Sequence, residues 1–98
     1  MIKNKAIFLD RDGVINKSII KNGKGYAPLK FKDFKLYAGV ENAFNNLKKK
    51  KYKIIIITNQ PDITRGKISY PQLNKMHNYL KKKIRYNSIY INTSISKK

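Results

Sequence analysis

The sequence predicts an α/β fold in which strands and helices alternate as βαβαβ around a parallel sheet. Residues 5–10 and 53–58 are short apolar runs typical of buried strands, and residues 88–92 form a weaker run of the same kind. Two stretches with helical periodicity, residues 38–50 and 69–85, lie between them. This alternation predicts parallel strands joined by right-handed crossovers.

The first strand is the run Lys5-Ala-Ile-Phe-Leu-Asp10, which ends in an acidic residue and is followed by Gly13. Residues 15–35 show no sustained period and contain Gly and Pro, so they predict a long loop with a brief hairpin. Loops of this length in small domains are usually functional or mobile.

The first helix is predicted from apolar residues spaced i, i+3, i+4 and i+7, namely Val40, Ala43, Phe44 and Leu47. The second strand, the run Lys53-Ile-Ile-Ile-Ile-Thr58, is continuous and β-branched. Such a run is typical of a parallel strand that is covered on both faces.

A second loop is predicted at residues 59–68, followed by a helix that ends near Arg85. Ser69 is placed to cap this helix, with Pro71 in its first turn. One helix face is apolar, and His77 in mid-helix is expected either to pack or to face solvent. The residues of that face are Leu73, Met76, Leu80 and Ile84.

Composition narrows the class of protein. The chain has 98 residues, no cysteine and a formal charge of +18. One small domain is expected, with neither disulfides nor a thiolate zinc site. No apolar run approaches the roughly 18 residues of a membrane helix, so we expect a soluble, cytoplasmic protein.

Lysine supplies 20 of the 23 positively charged residues. The high charge would suit a nucleic-acid partner, but arginine, the residue better suited to phosphate and base contacts, is scarce. The codons of lysine, isoleucine and asparagine are A/T-rich, so a biased genome accounts for much of the lysine excess without such a partner. The composition therefore argues against nucleic-acid binding.

Polar residues follow both predicted central strands. Asp10 and Asp12 follow the first, and Thr58, Asn59 and Gln60 follow the second. In parallel sheets, ligands bind beyond the carboxyl ends of the strands, so these tips are expected to meet in one crevice. One carboxylate can attack phosphorus and help to bind Mg²⁺, while the other handles a proton.

Two alternatives concern the same acidic pair. An ordinary acidic turn would also place Asp beside Gly, and the motif by itself does not decide between this and phosphoryl chemistry. A calcium loop is excluded, because its required positions are occupied by Val14, Ile15 and Lys21.

The segment Ala6-Ile-Phe-Leu-Asp-Arg-Asp-Gly-Val-Ile-Asn16 resembles the first motif of the haloacid dehalogenase superfamily of phosphatases. The segments Ile55-Ile-Ile-Thr-Asn-Gln60 and Ile63-Thr-Arg-Gly66 resemble its second motif. Three residue pairs between these two motifs make the sequence similar to one subgroup, which contains histidinol-phosphatase and D-glycero-D-manno-heptose 1,7-bisphosphate phosphatase. The Arg-Gly pair after the second motif favours the heptose bisphosphate branch of that subgroup. Those intervening pairs are Gly25-Tyr26, Asp33-Phe34 and Gly39-Val40.

This resemblance covers roughly residues 5–91 and implies a three-layer Rossmann-like fold and a small phosphorylated metabolite, a sugar phosphate, as substrate. It implies that Asp10 is the nucleophile and a Mg²⁺ ligand. It implies that Asp12 is the general acid–base group and lends its main-chain carbonyl to the metal. Thr58 and Asn59 would hydrogen-bond the phosphoryl group, and Arg65 would contact the rest of the substrate.

This sequence also departs from the family pattern at several positions. Family members continue with a phosphate-binding lysine and then an acidic motif that completes the Mg²⁺ site, and this sequence has no counterpart; Lys97 and Lys98 cannot be assigned that role. Many relatives have a zinc loop after the third strand, where Asn92, Thr93 and Ser94 stand here, so no zinc is expected. Pro61-Asp62 replaces the small pair common in the second loop.

Residues 1–98 are therefore expected to form a single, incomplete hydrolase domain of the haloacid dehalogenase type, with negligible activity as this chain alone. The first strand would expose an unpaired apolar edge, which predicts self-association or a partner fragment. Three alternatives to the heptose phosphatase remain open: a histidinol-phosphatase-like activity, a non-catalytic phosphate-binding remnant and, least favoured, a basic nucleic-acid binder.

Overall fold

A computed structural model of the protein describes residues 5–95. It contains five strands, three helices and one 3-10 turn. In chain order these are β1 (Lys5–Leu9), β2 (Ile19–Lys21), β3 (Lys24–Tyr26), the 3-10 turn (Phe31–Asp33), α1 (Val40–Lys49), β4 (Tyr52–Asn59), α2 (Pro61–Thr64), α3 (Tyr70–Ile84) and β5 (Ser88–Asn92).

Three parallel strands form the central sheet in the order β1-β4-β5. Phe8 pairs with Ile55 across the first pair of strands, and Ile57 pairs with Tyr90 across the second. Since α1 lies between β1 and β4 in the chain, and α3 between β4 and β5, the predicted βαβαβ order is confirmed.

Both long helices pack on one face of this sheet. The strand order advances in one direction, so two right-handed crossovers bring both helices to the same side. Ile54 and Ile56 of β4 are fully buried in one core with Phe44 of α1 and Leu73 of α3. The described residues thus form a sheet and one helical layer.

The expectation that β4 is covered on both faces is wrong for the described residues. Ile57 is 42% exposed, and its neighbours on the same face, Phe8 and Tyr90, are 61% and 62% exposed. A continuous apolar run does not distinguish a strand covered on both faces from a strand with one open apolar face.

The hairpin expected in the first loop is formed by β2 and β3, which pair antiparallel. The second loop differs from its prediction, because Pro61–Thr64 forms a short helix. Pro61 at the first helical position has a pre-set φ, and Asp62 places an acidic group in the first turn; both favour helix initiation.

The second long helix begins as its sequence predicts, whereas α1 begins at Val40, two residues after the predicted start at residue 38. Ser69 caps α3, since its hydroxyl accepts from the Gln72 amide at 3.4 Å. The residue before α1, Gly39, has a φ of +84°, a conformation that favours glycine.

Among residues 5–95 no helix is long and apolar enough to cross a membrane. A cytoplasmic location stays a prediction of the sequence. Lys97 and Lys98 lie outside the described residues.

Candidate active site

The candidate site begins where β1 ends and the chain turns sharply. The Arg11 carbonyl accepts hydrogen bonds from the amides of Val14, Ile15 and Asn16, at 3.3, 2.8 and 3.1 Å. This arrangement closes a tight loop that holds Asp12. Gly13 has a φ of +83°, so a glycine suits the residue directly after Asp12.

The ends of β1 and β4 enclose a small cavity of about 150 Å³. Its walls are Asp10, Arg11, Asp12, Thr58 and Asn59. The structure therefore brings together four of the five residues that the sequence assigned to a site, as expected for the carboxyl ends of adjacent parallel strands.

Both oxygens of the Asp12 carboxylate are hydrogen-bonded. Oδ1 accepts from Arg11 Nε and Nη2, at 3.1 and 2.8 Å, and from Asn16 Nδ2 at 3.0 Å. Oδ2 accepts from Gln60 Nε2 at 2.8 Å. The carboxylate is thus tied to its own loop and to the end of β4.

Asp10 differs from Asp12 in its surroundings. Its side chain is exposed and, within residues 5–95, accepts no hydrogen bond from another side chain. An exposed, uncommitted carboxylate at a strand end is available to a metal ion or an electrophile.

The side chain of Arg11 is completely buried, although the residue is part of the cavity lining. Its Nη2 forms an ion pair with Asp12, its Nη1 approaches His77 Nε2 at 3.0 Å, and its guanidinium lies 5.1 Å from the Phe34 ring centroid. Burial lowers the pKa of Arg11, and the Asp12 carboxylate partly offsets this effect.

His77 is buried on α3 beneath the acidic loop. Because arginine has only donors, Nε2 of His77 must accept, which places the imidazole proton on Nδ1. Burial, and then the positive charge of Arg11, lowers the pKa of His77 to about 4. The imidazole is therefore neutral at pH 7.

Thr58 and Asn59 differ in burial although both line the cavity. Thr58 is buried, and its hydroxyl oxygen accepts from Gln60 Nε2 at 2.9 Å, which leaves the hydroxyl hydrogen free to donate. Asn59 is exposed, and its side-chain oxygen accepts from Asn92 Nδ2 at 3.1 Å. The side-chain amide of Asn59 keeps its own donors.

Arg65 lies apart from the acidic cavity. It follows α2 and pairs with Asp62 at 3.2 Å, and it lines a separate cavity of about 580 Å³ beside the β2–β3 hairpin. That second cavity also has four lysines and two carboxylates in its lining, namely Lys21, Lys30, Lys32, Lys67, Asp33 and Asp62.

Sequence reasoning placed Gln60 at the crevice without a role of its own, and it assigned no site role to Asn16, Arg11 or His77. A contact between Gln60 and Thr58 was detectable, because residues 54, 56, 58 and 60 alternate toward the same buried side. His77 was also detectable, since it stands four residues after Leu73 and three before Leu80 on the apolar face of α3. For Arg11, no sequence signal shows that the side chain turns inward.

The oxygen atoms that face the cavity suit a hard divalent cation. The Asp10 carboxylate is uncommitted, and the Asp12 main-chain carbonyl accepts no hydrogen bond within residues 5–95. Mg²⁺ commonly takes one or two protein carboxylates and completes its octahedron with water and phosphate. In this same part of the chain no three or more His, Cys, Asp or Glu side chains are grouped so that they could hold a metal ion, and Asp10 and Asp12 supply the two carboxylates of the cavity.

Comparison with protein families gives one clear match. The sequence model of the family described as "Polynucleotide kinase 3 phosphatase" matches residues 5–98.

Among curated proteins, similar sequences come from bacteria and an archaeon. A D-glycero-beta-D-manno-heptose-1,7-bisphosphate 7-phosphatase from Helicobacter pylori is 37% identical over 86% of this chain and 45% of its own length. The enzyme of that name from Haemophilus influenzae is 39% identical over 79% of this chain and 39% of its own. An uncharacterised Methanocaldococcus jannaschii protein is 48% identical over 61% of this chain and 57% of its own length. The chain spans about half the length of the curated relatives it matches.

Two solved structures share the fold. The D,D-heptose 1,7-bisphosphate phosphatase of B. bronchiseptica, complexed with magnesium and phosphate, has a TM-score of 0.79 at 22% identity. The superposition covers 93% of this chain and 51% of the B. bronchiseptica chain. The corresponding Burkholderia thailandensis protein has a TM-score of 0.66 at 25% identity, with coverages of 93% and 54%. The predicted fold class is confirmed.

Proposed function

Because this chain belongs to the polynucleotide kinase 3 phosphatase family, a family of haloacid dehalogenase-type phosphatases as its motifs indicate, we propose that it is part of a Mg²⁺-dependent phosphomonoesterase. Its proposed substrate is a small sugar phosphate, D-glycero-D-manno-heptose 1,7-bisphosphate. The observation that carries this proposal is the convergence of Asp10, Asp12, Thr58 and Asn59 on one cavity. The names of the curated relatives support the substrate.

The Asp10 carboxylate and the Asp12 main-chain carbonyl would hold Mg²⁺, which when bound supplies positive charge to offset that of the phosphoryl oxygens. The uncommitted state of both oxygens supports this assignment.

The proposed reaction has two displacements at phosphorus. An Asp10 oxygen bonds to phosphorus while the bond from phosphorus to the sugar oxygen breaks, and the leaving oxygen takes a proton from Asp12. A water oxygen then bonds to phosphorus, its proton passes to Asp12, and the bond from phosphorus to Asp10 breaks. The sum is ester plus water giving alcohol plus phosphate.

The two oxygens of Asp12 are suited to different parts of this cycle. Oδ1 is occupied by three bonds, two from Arg11 and one from Asn16. Oδ2 has a single amide donor, Gln60. We assign the mobile proton to Oδ2, because this oxygen has one hydrogen bond from an uncharged amide, whereas Oδ1 accepts from the cationic Arg11.

The hydroxyl of Thr58 and the side-chain amide of Asn59 are the proposed donors to the phosphoryl oxygens, where charge must be stabilised in the transition state. Arg65 is the proposed contact for the remainder of the substrate, because a guanidinium fork matches phosphate oxygens. The cationic cavity beside the hairpin supports this role, since it offers Arg65 together with lysines.

Residues 1–98 are proposed to form one incomplete hydrolase domain. Support comes from the two-carboxylate donor set and from the open face of the sheet. The unpaired edge of β1 and this open face are the proposed contact surface for a second copy of the chain or for a partner fragment. The two remaining phosphate-related alternatives, a histidinol-phosphatase-like activity and a non-catalytic phosphate-binding remnant, share the same cavity.

The first test is binding of Mg²⁺ with beryllofluoride, a mimic of a phosphoryl group on a carboxylate. We expect amide NMR shifts confined to the loop of Asp10–Gly13 and the end of β4 at Thr58 and Asn59. Asp10→Asn should abolish them, because the attacking oxygen is lost.

Glu41→Gln is the matched control for that experiment. It removes the same charge at an exposed position of α1 and should leave binding unchanged within about twofold. Shifts spread over the lysine-rich surface, or shifts that survive Asp10→Asn, would contradict the proposed site and indicate general attraction of anions.

A second expectation concerns turnover. The 98-residue chain should release negligible phosphate from heptose 1,7-bisphosphate or histidinol phosphate, because the described cavity offers two carboxylates and no lysine. Phosphate release with and without Mg²⁺ measures this. Robust turnover that Asp10→Asn abolishes would prove the expectation of inactivity wrong while supporting the phosphatase itself.

A further inference from the structure

Arg11 lies between two residues that face the cavity, yet its own side chain has no accessible surface. It therefore cannot contact a substrate through its guanidinium. A buried guanidinium costs desolvation energy, and such groups persist when their donors are matched by acceptors. The contacts of Arg11 show which acceptors those are.

The guanidinium joins two parts of the fold. On one side Nε and Nη2 donate to the same oxygen of Asp12, at 3.1 and 2.8 Å. On the other side Nη1 donates to Nε2 of His77 at 3.0 Å and lies 3.7 Å from the Met76 sulfur. Arg11 thus links the acidic loop directly to α3.

The ring of Phe34 completes this environment. It lies 5.1 Å from the guanidinium carbon and packs edge-to-face on Tyr79, another residue of α3. The face of an aromatic ring attracts a cation. The position of the guanidinium is consequently determined by α3 and by the segment before α1, and not by the acidic loop alone.

We propose that Arg11 and His77 are positioning residues that fix the side-chain rotamer of Asp12 from beneath the site, so that α3 sets the direction of the acid–base carboxylate. The inference rests on the proposed function only in the role given to Asp12. His77 contributes through an acceptor nitrogen, and Arg11 contributes through its three-armed fork, which lysine cannot reproduce.

The test measures the rotamer of Asp12 directly in the full chain at pH 7. Three-bond couplings from the backbone nitrogen to Cγ report the χ1 angle of each aspartate. Wild-type Asp12 should show one staggered rotamer. Asp10, which accepts no side-chain hydrogen bond within residues 5–95, should show averaged couplings and serves as an internal reference.

Three variants decide between positioning and simple packing. Arg11→Lys and His77→Leu should both average the Asp12 couplings. His77→Gln should preserve them, because the amide oxygen restores an acceptor for Arg11. Leu80→Ala, at a buried position of α3 that makes no hydrogen bond to Arg11 or Asp12, controls for loss of stability and should leave the couplings unchanged.

A second signal comes from the imidazole. The chain has one histidine, so its ¹⁵N spectrum needs no assignment. Wild type should show a proton on Nδ1 and an unprotonated Nε2, and Arg11→Lys should change this pattern. An averaged Asp12 in wild type, or an Asp12 that stays fixed in both Arg11→Lys and His77→Leu, would overturn the proposal.

The two proposals fail separately. If Mg²⁺ with beryllofluoride does not bind wild type, the proposed function fails, while the coupling and imidazole measurements still judge the roles of Arg11 and His77. If binding occurs and Asp12 does not respond to either variant, only the positioning inference fails.

Discussion

Gln60 connects the two strand ends of the candidate site. Its Nε2 donates to Asp12 Oδ2 and to Thr58 Oγ1, at 2.8 and 2.9 Å, and its main-chain amide donates to the Asn92 carbonyl at 2.7 Å. The residue is almost completely buried. A single side chain therefore holds the proposed acid–base carboxylate and a proposed phosphoryl donor in fixed relation.

Replacing Gln60 by leucine should destabilise the fold. The substitution removes both side-chain bonds and leaves the buried Thr58 hydroxyl and the partly buried Asp12 carboxylate without this donor, at a cost of about 1–3 kcal/mol. Urea denaturation measures the free energy of unfolding. Gln72→Leu, which removes one partly buried bond from the Phe31 amide, is the control and should cost no more than about 1 kcal/mol. Equal losses for the two variants would contradict the special role of Gln60.

His77 should make stability depend on pH. Its pKa is about 4 in the folded chain and 6.5 as the ordinary value, so between these the unfolded state binds more protons. The contribution of neutral His77 to the free energy of unfolding is present in full above pH 6.5, and it is lost as the pH falls from 6.5 toward 4. The loss is on the order of 2–3 kcal/mol.

The measurement for this prediction is the free energy of unfolding of wild type and His77→Gln between pH 4 and 8. Acidic groups titrate in both proteins, so the difference between the two curves isolates the histidine. We expect that difference to favour wild type increasingly as the pH rises to 6.5. Parallel curves would mean that the imidazole is not buried as a neutral acceptor.

At the scale of elements, α3 supports more of the site than its distance in sequence suggests. Its apolar face packs on β4, and His77 and Met76 from the same face reach Arg11. The Ser69 cap stabilises the first turn of this helix, because its hydroxyl accepts from an amide that has no partner within the helix.

Ser69→Ala should therefore cost about 1 kcal/mol of unfolding free energy, the usual value for a lost N-cap. Thermal or urea denaturation measures it. Ser94→Ala is the matched control, since the Ser94 hydroxyl makes no hydrogen bond within residues 5–95, and it should be neutral within about 0.5 kcal/mol. A neutral Ser69→Ala would show that tertiary packing alone determines where α3 begins.

At the scale of the whole molecule, the open face of the sheet and the charge of the chain act against each other. Phe8, Ile57 and Tyr90 form an exposed apolar strip, and β1 lies at the edge of the described sheet. Such a surface favours association, whereas a net charge of +18 repels a second copy.

Association should consequently increase with salt. The Debye length falls from about 10 Å at 0.1 M to about 3 Å at 1 M ionic strength, which weakens the repulsion. Size-exclusion chromatography with light scattering should show larger species at high salt for wild type and a monomer for Ile57→Lys. Tyr70→Lys, an exposed aromatic position on α3, is the control and should behave as wild type. A compact, stable wild-type monomer at high salt would count strongly against this contact surface.

The order of elements and the identity of the acidic pair follow from the sequence, because both depend on local pattern. Short apolar runs identify the strands and apolar spacing of period 3.6 identifies the long helices. A strand followed by Asp10 and Asp12 places carboxylates at the carboxyl edge of a parallel sheet. The juxtaposition with Thr58 and Asn59 follows in the same way, once β1 and β4 are taken as neighbours.

Tertiary structure decided the rest. The inward direction of Arg11, its contacts with His77 and Asp12, and the open face of β4 depend on which surfaces meet after the strands pair and the helices pack. The contacts of Arg11 with Met76 and His77 join residues far apart in the chain, and no local periodicity encodes them. The same apolar run can form a strand whose two faces are both covered or a strand with one exposed face. The side chain of a loop arginine is solvated in the unfolded chain and becomes buried only when other elements pack around it.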